Sequence, residues 1–299
     1  MNGQLTLPFW GHWRDYLALC KLRVVALMLM TVLVGIALAS TSLPSLSLTL
    51  ATLLGVGACA SSAAAVNHWV DRYLDAKMTR TQNRPMVTGR LNSFQVISFA
   101  FLLGVVGFLI LKFEVNSLTA WLTVLTLVGY AGIYTGYLKR ATAQNIVIGG
   151  LAGAAPPLLG WTAITNSLDP CALLLVLIIF IWTPPHFWAL AIYRYDDYKQ
   201  ADIPMLPIVY GIEFTKKMIF LYSILLWVVS ELPFLVGMSH AFYAIGAALL
   251  SGRFIWDAYQ LMQTQEKIKA MHLFRYSIWY LLGLFLLILM DHIGGYYVN

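Results

Sequence analysis

Nine long apolar segments limit what this chain can fold into. They cover roughly residues 21–41, 46–67, 94–111, 117–137, 146–165, 171–193, 216–237, 240–257 and 273–293. About 20 apolar residues in an α-helix cross a bilayer, and there only a helix or a closed barrel satisfies its backbone hydrogen bonds. Charged residues make up 11% of the 299 residues, well below the roughly 25% of a soluble domain. The sequence therefore predicts an all-α, polytopic integral membrane protein.

We expect residues 1–299 to form a single membrane domain. Residues 1–20 are predicted to be a cytoplasmic interfacial lead-in, because aromatic residues anchor a segment at the membrane surface. Its aromatic residues are Phe9, Trp10, Trp13 and Tyr16. Residues 21–293 are expected to form about nine transmembrane helices in a ring-like bundle around an intramembrane cavity. The glycines and prolines at 149–157 weaken the fifth span, and irregular backbone at membrane depth is tolerated where it lines a cavity.

Lysine and arginine are distributed unevenly between the two sides of the predicted bundle. If the N-terminus is cytoplasmic, 18 of the 19 basic residues lie in cytoplasmic segments and only Lys112 lies outside. Cytoplasmic loops are enriched in basic residues, so we expect a multi-pass protein of the cell inner membrane with its C-terminus on the opposite side. Membrane topology thus explains the excess of basic residues behind the net charge of +6, and no nucleic acid partner is predicted.

The strongest candidate for chemistry is a polar ladder at the cytoplasmic end of the second span. Asn67, Asp71 and Asp75 are spaced four residues apart, so their side chains share one helix face over roughly 12 Å. Hard oxygen donors suit Mg²⁺, which binds one or two carboxylates together with substrate phosphates. These three residues are therefore predicted to be catalytic metal ligands at the cytoplasmic face.

Basic residues near this ladder are candidates for binding a diphosphate. They are Arg72, Lys77, Arg80, Arg84, Lys139, Arg140 and Lys199. A competing interpretation is that they form a solvated helix end and topological anchors, as the positive-inside rule requires. That interpretation explains the basic residues but not the acidic ladder at the membrane boundary, where charged groups are costly.

The sixth span contains a second candidate site. Pro184 and Pro185 are expected to break this helix, and His186 and Trp188 follow the break. A histidine inside a span is a functional candidate, and a structural histidine beside a proline kink is an equally good interpretation.

The same span ends on the side of the ladder with further carboxylates, Asp196 and Asp197. Two such ends facing each other would hold a magnesium diphosphate. In the second span, the small residues at 55–65 either let neighbouring helices approach closely or leave room for a large apolar ligand.

Four segments of the chain, in this order, resemble one family. They are DRYLDAKMTRTQNRP at 71–85, YLKRATAQNIVIGGLAGAAPPLLGW at 137–161, WTPPHFWALAIYRYDDY at 182–198 and IPMLP at 203–207. Over roughly residues 14–293, the chain is similar to the protohaem IX farnesyltransferase (haem O synthase) branch of the UbiA-type intramembrane prenyltransferase superfamily. TPPHFWALA separates this branch from quinone-type members. The second acidic motif departs from the common DxxxD pattern, because its acids stand at 196, 197 and 202.

The resemblance implies transfer of the farnesyl group of farnesyl diphosphate to a vinyl group of haem B, which gives a hydroxyethylfarnesyl side chain and releases diphosphate. Arg80 and Arg84 are the preferred diphosphate ligands. His186 and Trp188 would contact haem, with His186 either an iron ligand or an orienting or proton-handling group. The residues that would hold Mg²⁺ are Asn67, Asp71, Asp75, Asp196 and Asp197. A handoff of the product to haem A synthase or to terminal oxidase assembly is a further expectation.

Three other functions fit parts of the sequence. A prenyltransferase of the same superfamily acting on a quinone precursor would share the magnesium diphosphate site and differ in its acceptor pocket. A transporter also uses intramembrane acids and broken helices, but here the acids cluster at one face of the membrane together with cations. A structural or assembly subunit has no need for two acidic motifs.

Overall fold

The structure is a computed structural model that describes residues 13–40 and 42–298. Phe9 and Trp10 of the predicted lead-in lie outside the described residues, whereas Trp13 begins the first helix. The helices are α1 (Trp13–Leu19), α2 (Leu22–Ala39), α3 (Leu46–Ala76), α4 (Ser93–Ile110), α5 (Ser117–Val128), α6 (Lys139–Ala141), α7 (Asn145–Ala154), α8 (Pro156–Thr165), α9 (Pro170–Tyr193), α10 (Tyr195–Gln200), α11 (Leu206–Val209), α12 (Ile212–Leu235), α13 (Ala241–Met262) and α14 (Lys267–Val298). Two π-helical segments, Leu111–Val115 and Gly129–Leu138, follow α4 and α5.

Within the described ranges, eight segments are long and apolar enough to cross a bilayer. They match eight of the nine predicted spans, and the all-α, polytopic membrane prediction is confirmed. The remaining predicted span corresponds to α13, which has 22 residues. It is more polar than the others because Arg253 and Asp257 lie inside it.

The long helices close into a ring. Going round the bundle, α2 packs against α3, α3 against the π-helical segment Gly129–Leu138, that segment against α7, α7 against α9, α9 against α14, and α14 against α2. The two half-helices α7 and α8 together form the fifth span. Since α8 packs along α2 while α7 packs against α9, their junction lies at the wall of the space inside the ring. The predicted ring-like bundle is therefore the observed arrangement.

Prolines act differently in the two spans that contain them. In the fifth span, the helix ends at Ala154, and Pro156 and Pro157 open α8, where a missing N–H costs nothing. In the sixth span the predicted break does not occur, because α9 runs without interruption through Pro184 and Pro185. Neighbouring helices bury 67% of this span, and packing on all sides holds a helix together despite the two missing backbone bonds.

The small residues of α3 both allow a neighbouring helix to approach closely and leave room for the cavity. On one face, a Cβ on Gly55 would lie 2.5 Å from Leu111, and one on Gly107 would lie 2.7 Å from the Gly55 carbonyl oxygen. Close packing of α3 against α4 therefore requires glycine at these positions. On another face, Ala60 and Ala64 line the cavity inside the ring.

A glycine contact between α2 and α8 provides a test of the packing. A Cβ added to Gly160 would overlap the carbonyl oxygen of Val32. Backbone atoms cannot move aside as a flexible side chain can, so Gly160→Ala is expected to destabilise the bundle by about 1–3 kcal/mol. Gly252→Ala on α13, which meets open space, is the matched control. Thermal unfolding of both variants in the same detergent measures the difference, and equal midpoints would contradict the tight contact.

Candidate active site

The three ladder residues lie side by side on the buried face of α3. Asn67, Asp71 and Asp75 are 5%, 1% and 4% exposed. The Asn67 amide nitrogen donates a hydrogen bond of 2.8 Å to Asp71 Oδ2. The four-residue spacing thus places all three side chains on one face, as predicted from the helical period.

Each ladder residue meets a basic side chain from a different part of the chain. Lys21 Nζ lies 2.6 Å from Asn67 Oδ1. Lys139 Nζ lies 2.6 Å from Asp71 Oδ2, and Arg84 lies 2.6 Å from Asp75 Oδ2. These cations come from the residue before α2, from the start of α6 and from the segment after α3. Two carboxylates thus face three basic side chains, and a bound anion would be attracted to the basic groups.

Lys21 is the site residue that sequence reasoning missed, because its position before the first span was fully explained by membrane topology. It adopts a left-handed backbone conformation with φ 49°, which turns the chain from α1 into α2. Burial, with repulsion from Arg84 and Lys139 as the next cause, lowers the pKa of Lys21 to about 7. A bound anion would stabilise its protonated form.

A π-helical segment places Lys139 next to the ladder. In the segment Gly129–Leu138, the Thr135 hydroxyl donates to the Tyr130 carbonyl oxygen at 2.9 Å and accepts from Asn67 Nδ2 at 3.4 Å. A π-helix has more than four residues per turn, so Tyr130, Thr135 and Lys139 lie along one face. The wide helix therefore turns this face towards α3, which a regular α-helix of the same sequence would not do.

The residues of the ladder fit a magnesium ion. Asp71 Oδ1 is buried and has no hydrogen-bond partner, which leaves one carboxylate oxygen free to bind a cation. The donors are an amide oxygen and carboxylate oxygens, the hard ligands that Mg²⁺ prefers. Across the described part of the chain, no group of three or more His, Cys, Asp or Glu side chains is arranged to hold a metal ion by itself. The ladder would thus supply only part of the coordination shell, as is usual for Mg²⁺ bound with phosphate.

The second acidic motif lies next to the first. Thr79, just after α3, donates a hydrogen bond of 3.0 Å to Asp197 Oδ1, and Lys77 lies 3.7 Å from Asp202. The ends of the second and sixth spans that carry the two acidic motifs therefore meet. Asp196 points elsewhere: its side chain is 82% exposed and lies 2.7 Å from Lys267 Nζ. The hydrogen bond from Lys267 lowers the pKa of Asp196.

The other predicted diphosphate ligands differ in where they lie. Arg80 lines the cavity. Arg140 donates to the Val70 carbonyl oxygen at 3.3 Å, beside the ladder. Arg72 does not join the ladder, because it donates to the Trp69 carbonyl oxygen and stacks on the Tyr73 ring. Lys199 is exposed on α10.

A cavity of about 850 Å³ lies inside the ring beside the ladder. Side chains from α2, α3, α5, α7, α8, α9 and α14 line it, and most are apolar. Lys21 and Arg80 are among the lining residues, so the cavity and the charged site share a boundary. A space of this size and polarity suits a long apolar group whose charged end remains at the ladder.

His186 lines the cavity, and Ser277 of α14 is the hydrogen-bond partner of its ring. Its Nδ1 lies 2.6 Å from Ser277 Oγ, while the Ser277 hydroxyl donates to the Phe274 carbonyl oxygen at 2.7 Å. When the Ser277 hydroxyl donates there, its oxygen accepts the bond from His186 Nδ1–H, and this tautomer has a lone pair on Nε2. The ring is stacked between Trp182 and Phe274, with centroids 4.2 and 4.5 Å away.

Trp188, the other predicted haem contact, is placed outside the cavity lining. It is 2% exposed and packs edge-on against Tyr222 of α12, with ring centroids 5.2 Å apart. Residues 186 and 188 are two positions apart on α9, so they face different directions, whereas Trp182 shares the face of His186. Trp182 lines the cavity and is the tryptophan that the helical period would have selected.

Comparisons with known proteins give a consistent result. Residues 28–289 match the model of the UbiA prenyltransferase family. A protein from Legionella pneumophila (strain Lens), named protoheme IX farnesyltransferase, is 60% identical over 280 residues, which cover 94% of this chain and 95% of that protein.

Two solved structures share the fold. One comes from a study of the biosynthesis of digeranylgeranylglyceryl phosphate synthase in membranes; its TM-score is 0.79 at 17% identity, with 95% of this chain and 99% of that chain covered. The other is a UbiA homolog from Archaeoglobus fulgidus bound to GPP and Mg²⁺, with a TM-score of 0.61 at 16% identity over 92% and 99% of the two chains. At these identities they support the fold alone. Since the family match spans most of the sequence and the observed bundle agrees with it, the chain belongs to the UbiA prenyltransferase family.

Proposed function

We propose that this protein transfers the farnesyl group of farnesyl diphosphate to a vinyl group of haem B. The observation that carries this proposal is a buried oxygen ladder, ringed by cations, at the edge of an apolar cavity that also contains a histidine. The ladder suits a magnesium diphosphate, the cavity suits an isoprenoid, and a histidine with a free Nε2 suits haem. The 60% identical relative named protoheme IX farnesyltransferase supports this acceptor over a quinone precursor.

The diphosphate end of the substrate would lie at the ladder. Asn67, Asp71 and Asp75, with Asp197 from the neighbouring motif, would hold Mg²⁺. The ion would supply charge stabilisation for the departing diphosphate. Lys21, Lys139 and Arg84 now contact the ladder oxygens, and these same cations, with Arg80, would contact phosphate oxygens when the substrate is bound.

The reaction breaks the allylic C–O bond, and its electron pair leaves with the diphosphate. The electron-rich vinyl group of haem forms a bond to the allylic carbon, and water then adds to the haem-side cation and loses a proton. Preorganised positive charge lowers the barrier because it stabilises the negative charge that develops on the leaving group. The apolar cavity keeps water away from the allylic carbon until the new bond has formed. Tyr130 and Tyr134 line the cavity, and an aromatic ring face there would stabilise the allylic cation.

Haem would be positioned by His186. With Nδ1–H committed to Ser277, the Nε2 lone pair is available as an axial ligand of the haem iron. A metal-bound histidine usually donates its second ring N–H to a fixed acceptor, and the Ser277 hydroxyl oxygen is such an acceptor here. We therefore assign His186 as the iron ligand that orients the reacting vinyl group.

Of the two acids in the second motif, Asp197 is the proposed metal ligand. Asp197 is in hydrogen-bond contact with Thr79 beside the ladder, whereas Asp196 is exposed and paired with Lys267. Asp197→Asn is expected to reduce turnover by about 10²-fold, and Asp196→Asn by less than threefold, since an exposed ion pair contributes little. Steady-state rates at saturating Mg²⁺ measure the difference. Equal losses would contradict the assignment.

The cellular setting is proposed on the same basis. The basic residues indicate a cell inner membrane protein with a cytoplasmic N-terminus and an active site at the cytoplasmic face. Handoff of the product to haem A synthase or terminal oxidase assembly would follow. Accessibility of cysteines introduced at Lys217 and Ser167, which lie on opposite predicted sides, tests the orientation; labelling of both from the same side would contradict it.

The function is tested by incubating the purified protein with haem B, farnesyl diphosphate and Mg²⁺ and analysing the extracted haem by mass spectrometry. The expected product is haem that has gained one farnesyl group and one hydroxyl group, and EDTA should abolish it. Unmodified haem, with diphosphate released when an aromatic acid is supplied, would move the protein to the quinone-type branch.

A further inference from the structure

A second pocket, separate from the cavity, lies between α13 and α14. Its volume is about 450 Å³. The residues that line it are Arg253, Trp256, Asp257, Gln260, Lys269, His272, Arg275 and Tyr276. None of them lines the cavity inside the ring. The same helix α14 turns Phe274 and Ile278 towards that cavity, so the pocket is on the outer side of the bundle.

The pocket carries positive charge that the protein does not neutralise. Arg253 pairs with Asp257, with Nε 3.0 Å from Oδ2, which accounts for its only carboxylate. Among the described residues, Lys269 and Arg275 have no ion-pair partner, and Arg275 is exposed. Two uncompensated cations therefore face one opening, which favours a ligand with negative charge.

The pocket lies at the depth of the membrane surface. The eighth predicted span ends near residue 257 and the ninth begins near residue 273, so the lining residues stand on both sides of the boundary of the hydrocarbon region. Trp256 is 56% exposed, and tryptophan is enriched at this interface. Phosphate groups of lipids are found at the same level.

An apolar surface continues from the pocket towards the middle of the bilayer. On α13 it is formed by Ile245 and Leu249, which are 63% and 71% exposed, and on α14 by Trp279 and Leu286, which are 69% and 42% exposed. The two helices approach closely where Gly246 meets Leu287 and Gly283 meets Leu250, so these exposed residues flank the groove between α13 and α14. A ligand that fills the pocket and the groove needs an anionic head and long apolar chains.

We propose that this pocket binds the phosphate headgroup of an anionic phospholipid, with its acyl chains in the groove between α13 and α14. Lys269 and Arg275 would contact the phosphate, and Trp256 would pack against the glycerol region. Basic pockets between transmembrane helices on the cytoplasmic side bind anionic lipids in other membrane proteins. A free phosphate ion would leave the apolar groove unused, so a lipid accounts for more of the observed surface.

The test uses the purified full-length protein in a neutral detergent, titrated with phosphatidylglycerol or with phosphatidylcholine of the same chain length. Native mass spectrometry measures the affinity of the most tightly retained lipid. The wild type should prefer phosphatidylglycerol. Lys269→Gln with Arg275→Gln should weaken its binding on the order of 30-fold, since each basic residue contributes about 1 kcal/mol. The control pair, Arg14→Gln with Lys217→Gln, removes the same charge from exposed cytoplasmic positions and should leave the affinity unchanged.

A charge-conserving variant and competition with inorganic phosphate complete the test. The charge-conserving pair Lys269→Arg with Arg275→Lys should retain the preference, which separates loss of charge from a folding defect. Equal affinities for the Gln pair and its control would overturn the proposal. Displacement of phosphatidylglycerol by equimolar inorganic phosphate would also overturn it, because the groove would then contribute nothing. If the Gln pair lost affinity for haem while its lipid binding stayed unchanged, the pocket would be reassigned to the haem propionates.

Discussion

Replacing Asp71 by asparagine is expected to reduce farnesyl transfer by roughly 10³-fold, the largest effect of any single change in the chain. Asp71 is the most deeply buried of the three ladder residues, and its Oδ1 has no hydrogen-bond partner. The substitution removes the charge that would hold Mg²⁺ on the diphosphate, and a group of this kind contributes several kcal/mol to the stability of the transition state. Product is measured as farnesylated haem at saturating substrate and Mg²⁺.

The control must separate lost chemistry from lost folding. Asp71→Asn leaves Lys139 buried beside a neutral group, which costs stability. The double variant Asp71→Asn with Lys139→Gln removes both charges, so it should recover thermal stability without recovering activity. Glu266→Gln, an exposed change in the loop before α14, should behave as the wild type. Turnover within tenfold of the wild type in Asp71→Asn would exclude Asp71 as a metal ligand.

Replacing His186 by phenylalanine is expected to lower haem farnesylation by at least about 10²-fold and to change the Soret band of bound haem. Phenylalanine preserves the ring stack with Trp182 and Phe274 and removes the nitrogen that would ligate iron. Binding of farnesyl diphosphate should not change, because the ladder is untouched. Absorption spectra of the haem complex and calorimetry with the diphosphate measure the two effects separately.

Ser277→Ala provides the graded comparison. It removes the acceptor of the Nδ1–H bond while leaving His186 in place, and loss of such an orienting partner usually costs 10-fold to 100-fold in affinity or activity. Its haem spectrum should therefore keep histidine ligation while the affinity for haem falls. If His186→Phe kept both the spectrum and the product, the histidine would be a packing residue only.

The ladder residues and the residues around His186 differ in how well the sequence predicts their positions. The ladder follows from a four-residue spacing, and a helix of any tertiary arrangement would keep those side chains on one face. To assign Trp182 to the cavity and Trp188 to the packing, one needs the helical period and also the face of α9 that meets the cavity. Residue type alone selected Trp188, which packs against Tyr222, whereas Trp182 lines the cavity.

The sequence by itself determined the all-α membrane class, the approximate number of long helices, the ladder and the family resemblance. These properties depend on apolar length and on local periodicity, which neighbouring residues define. The prolines of α9 show the limit of such local rules, because burial among other helices overrode the predicted break.

Only the tertiary structure decided which cations serve the ladder. Lys21 reaches Asn67 across 46 residues and Lys139 reaches Asp71 across 68. Such pairs depend on how helices close into a ring and on a π-helical turn, and no spacing within one segment specifies them. The same holds for the second acidic motif, where Asp197 contacts Thr79 and Asp196 pairs with Lys267. Charge and residue type placed these groups at one end of the predicted spans, and packing brought some of them together and kept others apart.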